Sequence, residues 1–161
     1  IWILMHNLKK KKISGIWFYG LSGSGKTFAS TYLKKKIKKP FVIDGDYVRK
    51  ELSKDLSYTN TDRTKQINRM LSIGKLSIYN NTFPIISTVW MTKEVYKKAI
   101  KNKILVIEVI RNNFEKIKKK HKTYKYKKNV VGKNFHLAKI KSKKLFNSGN
   151  NLFKNKLKKL L

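Results

Sequence analysis

Gly20-Leu21-Ser22-Gly23-Ser24-Gly25-Lys26-Thr27 is the stretch that decides the fold of this 161-residue chain. It fits the phosphate-binding P-loop spacing, G-x-x-x-x-G-K-[ST], at every fixed position. Its glycines let the backbone turn tightly, so that successive N–H groups face phosphate oxygens. The helix that follows adds its positive N-terminal end. Lys26 has the length to reach the β- and γ-phosphates, and the Thr27 hydroxyl is placed for Mg²⁺. Residues 20–27 are therefore read as the cradle of a nucleoside triphosphate. The flanking text supplies the context the motif requires. Ile16-Trp17-Phe18-Tyr19 reads as a short buried strand, and Thr27 to Lys36 as a helix. Strand, loop and helix in that order set aside a chance Gly/Ser-rich turn.

A second stretch, Asp44-Gly45-Asp46-Tyr47-Val48-Arg49, follows the apolar run Phe41-Val42-Ile43. Its two carboxylates matter because acid is scarce. The chain has 8 Asp and Glu residues against 40 Lys and Arg, and five of the eight acids fall between 44 and 62. Any carboxylate that holds Mg²⁺ or takes a proton comes from this short group. Asp44 and Asp46 head it, since they sit at the carboxyl end of an expected strand, where open α/β sheets bind ligands. The plain alternative is that Asp-Gly is a turn dipeptide.

A formal net charge of +32 suggests nucleic acid at first sight. The basic residues are nearly all lysine, however, with arginine only at 49, 63, 69 and 111. Modules that read bases use arginine forks and interleaved aromatics, and neither is clustered here. A mutational bias toward A/T-rich codons accounts for the lysine excess as well as any ligand does. We expect no specific nucleic-acid partner, only weak polyanion binding at low salt.

The remainder suits one α/β domain: a P-loop NTPase-type three-layer fold with a parallel sheet and helices on both faces. Further strands are expected at 84–88, 104–109 and 143–147, with helices at 62–79, 93–101, 113–119 and 152–161. In the first of these helices, Ile67, Met70, Leu71 and Gly74 share one face. Residues 1–12 read as a loose basic arm, 13–161 as the P-loop domain, and the Lys/His/Tyr-rich 119–129 as a mobile surface loop. With no cysteine, neither a disulfide framework nor a thiolate metal site exists. Ile1–Met5 is too short to span a membrane. Because the chain does not begin with methionine, it reads as a fragment or as starting at Met5. His6, His121 and His136 are far apart without acidic companions and are assigned to surface or lid packing. We expect no membrane partner and a cytoplasmic location, and sequence allows a homodimer.

The text from Ile43 to Arg63 carries a family resemblance. Together with the P-loop, Asp44-Gly45-Asp46-Tyr47-Val48-Arg49, Lys54-Asp55-Leu56-Ser57-Tyr58 and Asp62-Arg63 closely resemble the DGDxxR, K-D-L-G-F and D-R segments of adenylylsulfate (APS) kinase, in order and spacing. The likeness covers roughly 14–110 well and the last third poorly. It implies ATP- and Mg²⁺-dependent phosphorylation of the 3′-hydroxyl of adenosine 5′-phosphosulfate, giving PAPS and ADP, a step of sulfate assimilation. Lys26 and Asp46 would be the catalytic groups, Asp46 standing near the acceptor hydroxyl. Asp44, with Thr27, would hold Mg²⁺ through its water shell. Arg49 and Arg63 would hold the phosphosulfate, and Tyr58 falls where the family stacks a phenylalanine on the acceptor's adenine. Gln66 matches an acceptor-binding asparagine. Lys128-Asn129-Val130-Val131-Gly132 resembles the segment that closes the acceptor site, with Lys128 touching substrate and a lid over about 117–135.

Departures accompany the likeness. Val89-Trp90-Met91-Thr92-Lys93 replaces the family's I-S-P-Y-R, so the role of its serine does not transfer to Trp90, which reads as core packing or as a changed acceptor contact. The family's lid stretch R-D-x-K-G-L-Y is rewritten as lysine-rich sequence at 117–128. Two other readings therefore stay open: a kinase of another nucleotide, such as a cytidine diphosphoramidate, and a catalytically weak nucleotide-binding protein with a basic surface.

Overall fold

The computed structural model describes residues 13–160, so the arm expected over 1–12 lies outside the described residues. Five strands form one sheet: β1 (Gly15–Tyr19), β2 (Pro40–Asp44), β3 (Phe83–Thr88), β4 (Ile104–Arg111) and β5 (Lys143–Asn147). All neighbours run parallel, in the order β2-β3-β1-β4-β5. The helices are α1 (Lys26–Lys34), α2 (Gly45–Leu52), α3 (Asn60–Tyr79), α4 (Lys93–Lys101), α5 (Phe114–Lys120) and α6 (Asn150–Lys158). None of them is long and apolar enough to cross a membrane.

Central β1 is buried along its whole length, as a parallel strand covered on both faces must be. Its side chains alternate. Ile16 and Phe18 join Ala29 and Leu33 of α1 and Phe153 and Leu157 of α6 in one core. Trp17 and Tyr19 join Ile67, Met70 and Leu71 of α3 and Val95 and Ala99 of α4 in the other. Two cores on opposite faces of one sheet make the expected three layers. Gly74 lets α3 lie close: a Cβ there would stand 2.9 Å from Ile86 Cδ1.

The turn alternative for Asp-Gly at 44–45 falls away: the dipeptide starts α2, a helix that the sequence reading did not mark. The Asp44 carboxylate accepts the N–H groups of Asp46 and Tyr47 at 3.0 and 3.1 Å and caps the helix, and Val48 buries its inner face. One expectation needs correction: the 119–129 segment is not a featureless surface loop. It runs from the end of α5 through a 3₁₀ turn, Lys122–Lys125, in which Tyr124 is buried. The loops after β1, β2 and β3 all leave the sheet's carboxyl edge. Beside β1 the sheet continues in both directions, to β3 and to β4, which makes this edge the switch point where such sheets take ligands.

Candidate functional site

The phosphate loop links β1 to α1. Gly25 stands at the N-cap of α1 with φ 105°, and no side chain caps that first turn. A conformation of this kind suits glycine, and the uncapped N–H groups suit an anion. The Ser24 hydroxyl is buried without a hydrogen-bond partner. An unpaired buried hydroxyl costs about 1–3 kcal/mol, which a phosphate oxygen would offset. Thr27 lies exposed in the first turn of α1. Lys26 donates to the Leu21 carbonyl at 2.9 Å. Burial pulls its ammonium down to about 8, against a smaller opposing pull from the carboxylates of Asp46 and then Asp44.

The acceptor side is built by α2, the loop after it and the start of α3. Asp46 remains exposed beside the capping Asp44. Gln66 is buried on α3, where its amide N–H donates to the Gly45 carbonyl at 3.1 Å and braces the start of α2 between the two aspartates. Its Oε1 is buried without a partner. Arg49 donates to the carbonyls of Leu56 and Ser57 at 3.1 and 2.8 Å. Its guanidinium lies 4.5 Å from the Tyr58 ring centroid, and that of Arg63 lies 5.3 Å away. Arg63 also donates to the carbonyls of Tyr58 and Asn129 at 3.0 and 2.8 Å. It is not a surface charge paired with Asp62. Burial, then the repulsion of Arg49, lowers its pKa, while Asp46 is near enough to raise it. Among the described residues neither guanidinium has a carboxylate partner. Two cations around one aromatic ring invite an anionic ligand with a flat group.

The lid meets the phosphate loop directly. The Tyr124 hydroxyl donates to the Ser22 carbonyl at 2.9 Å. A Cβ on Gly23 would come within 2.7 Å of Ile117 and 3.2 Å of His121, so α5 rests on the loop. A Cβ on Gly132 would stand 3.1 Å from Leu21. His121 is thus lid packing, as expected, and His136 is exposed. The structure leaves Lys128 exposed, next to the Asn129 carbonyl that Arg63 holds. Trp90 is half-buried against the α3–α4 core, and its indole N–H donates to Thr64 at 3.2 Å. Within the rewritten 89–93 segment, Met91 is fully buried in that core and Lys93 is exposed. A surface hollow of about 650 Å³ lies along Asn60, Thr64 and Asn68 of α3, beside the partner of Trp90, and is lined by no phosphate-loop residue and by neither Arg49 nor Arg63.

One contact escaped the sequence reading. Asn147, taken only as a strand end, donates from Nδ2 to the Ser24 carbonyl at 2.8 Å and is buried. The signal available was a polar residue closing a strand ahead of Ser148-Gly149. Its partner on a loop more than a hundred residues earlier was not legible.

The adenylylsulphate kinase family model matches residues 12–144. An adenylyl-sulfate kinase of Clostridium acetobutylicum is 39% identical over 71 residues, 42% of this chain and 36% of that protein. One of Bacillus licheniformis is 37% identical over 93 residues, 55% of this chain and 47% of the relative. The matched stretches span less than half the length of these curated relatives. In fold, the chain is similar to the Mycobacterium tuberculosis APS kinase solved with AMPPNP and APS, with a TM-score of 0.77 at 20% identity over 92% of this chain and 95% of that one. The family match runs past the arginine pair and through the lid, farther than the motifs alone reached, and on it the chain belongs to the adenylylsulphate kinase family.

Proposed function

We propose that the chain transfers the γ-phosphoryl group of ATP to the 3′-hydroxyl of adenosine 5′-phosphosulfate, yielding PAPS and ADP. The observation that carries this reading is the Arg49–Tyr58–Arg63 cluster. It offers two guanidiniums without carboxylate partners and one aromatic face, within electrostatic reach of Asp46. A phosphosulfate suits the guanidiniums and an adenine suits the ring. On the donor side, the uncapped start of α1, the unpaired Ser24 hydroxyl and Lys26 fit a triphosphate. Thr27 and Asp44 would hold Mg²⁺ with its water. When bound, the ion neutralises charge on the β- and γ-phosphates.

The chain's own work is then alignment and proton transfer. The acceptor oxygen forms its bond to the γ-phosphorus as the bond to the bridging oxygen of ADP breaks, and the hydroxyl proton passes to the Asp46 carboxylate. Such a base contributes on the order of 10²–10⁴-fold. Lys128 and the 129–132 segment would close over the acceptor. ATP supply accords with a cytoplasmic location.

The test is ADP release with APS and with a panel of other nucleotides, including cytidine diphosphates. APS-dependent release with a 3′-phosphorylated product is expected. Turnover on another nucleotide with none on APS overturns the acceptor, and no turnover with any overturns the kinase reading.

A further inference from the structure

Asn147 ends β5, and three sets of bonds leave it no freedom. Its Oδ1 accepts the Gly149 N–H at 2.9 Å, which fixes which end of the amide faces the phosphate loop. Its own carbonyl accepts the Asn112 N–H at 2.9 Å, tying it to the end of β4. Its Nδ2 donates to the Ser24 carbonyl at 2.8 Å. A Cβ on Gly25 would run into the same Nδ2. Loop and side chain are therefore fitted to each other at two adjacent positions.

The Ser24–Gly25 peptide is trans, like all those described. In a trans peptide the C=O and N–H point in opposite directions. We infer that Asn147 is a positioning residue for the phosphate loop: by holding the Ser24 carbonyl, it turns the Gly25 N–H toward the anion. Without that hold, Gly25 (φ 105°) tolerates the flipped peptide, because glycine occupies both signs of φ. A flipped peptide would present a carbonyl oxygen to the phosphates, exchanging a donor for a repulsive dipole. The contact lies in the last strand, beyond the residues that the family model matches.

The inference rests on residues 20–27 being the ATP site and is independent of the acceptor. Its test compares wild type with Asn147→Leu, which keeps volume without the donor, and Asn147→Ala. ATP–Mg²⁺ dissociation constants are expected to rise on the order of 10- to 100-fold, the worth of a hydrogen bond to a charged group. Affinity for APS measured without ATP is expected to stay within about twofold, since its arginines lie elsewhere; a merely structural role would weaken both. A second measurement needs no variant. In wild type, inorganic tripolyphosphate is expected to move the Gly25 amide proton downfield by NMR. Variants that bind ATP like wild type, variants that lose both ligands equally, or an unmoved Gly25 resonance overturn the role of Asn147 alone. A wild-type chain that binds no ATP overturns the donor-site reading itself.

Discussion

Lys26 can be read at the scale of a single residue, because its protonation links stability to binding. Burial lowers its ammonium to about 8 from an ordinary 10.5. The unfolded chain therefore holds this proton more tightly than the folded one between those two values. The penalty on folding is complete below about pH 8 and fades as pH rises toward 10.5. Ligand-free Lys26→Met should thus melt above wild type at pH 7, by a margin that shrinks toward pH 10. ATP binding runs the other way, since the phosphates need the charged form. Above pH 8, ATP affinity should weaken toward about tenfold per pH unit, while Lys26→Arg, charged throughout, should lack this slope. Equal slopes in wild type and Lys26→Arg would remove Lys26 from the phosphate contact. The residue was legible because its spacing from the glycines is fixed by the ligand. The bracing of Gly45 by Gln66 was not, because a side-chain bond to a distant carbonyl leaves no periodicity to read.

At the scale of elements, all five strands were legible: β1, β3 and β4 as the apolar runs that a covered parallel sheet requires, and the half-exposed edges β2 and β5 as short runs bounded by Pro40 and Asp44 and by Ser148-Gly149. Helix α2 and the seating of the lid were not. Helix α2 was hidden because Asp-Gly serves equally as a turn, and only the capping of Asp46 and Tyr47 by Asp44 and the burial of Val48 decide for a helix. The lid was expected over about 117–135, but its seating was hidden, because Ile117 and His121 pack on Gly23 and Tyr124 bonds to a main-chain oxygen. Contacts to backbone write nothing into the partner's side chains. They also predict how the lid behaves. Tyr124→Phe removes one hydrogen bond, worth about 0.5–1.5 kcal/mol. Amide exchange over 114–125 should quicken roughly tenfold, while β1 and β3 exchange as before. Unchanged exchange in the lid would show that packing on Gly23 and Leu21 holds it without the hydroxyl.

For the whole molecule, 40 basic residues face 8 acids, so one-to-one pairing leaves a surplus of 32 positive charges. Ion pairs join Lys50 to Glu51, Lys65 to Asp62, Arg69 to Asp55 and Lys98 to Glu94, and each takes up an acid from a supply of 8. The surplus acts on folding and on catalysis with opposite sign. It repels itself in the compact state and so lowers stability, yet on the proposed reaction it would draw the anionic nucleotide toward the protein. Salt weakens both, as the screening length falls from about 10 Å at 0.1 M to about 3 Å at 1 M. Adding NaCl across that range should raise the melting temperature and, over the same range, lower kcat/KM for APS, with kcat at saturation nearly unchanged. The pairing of the two trends is the discriminating feature. A fall in kcat/KM without a rise in melting temperature would trace the salt effect to the Arg49–Arg63 contact alone, because local pairs release no long-range strain when screened. A rise in melting temperature with a flat kcat/KM would mean that the field, though large, does not reach the acceptor's path.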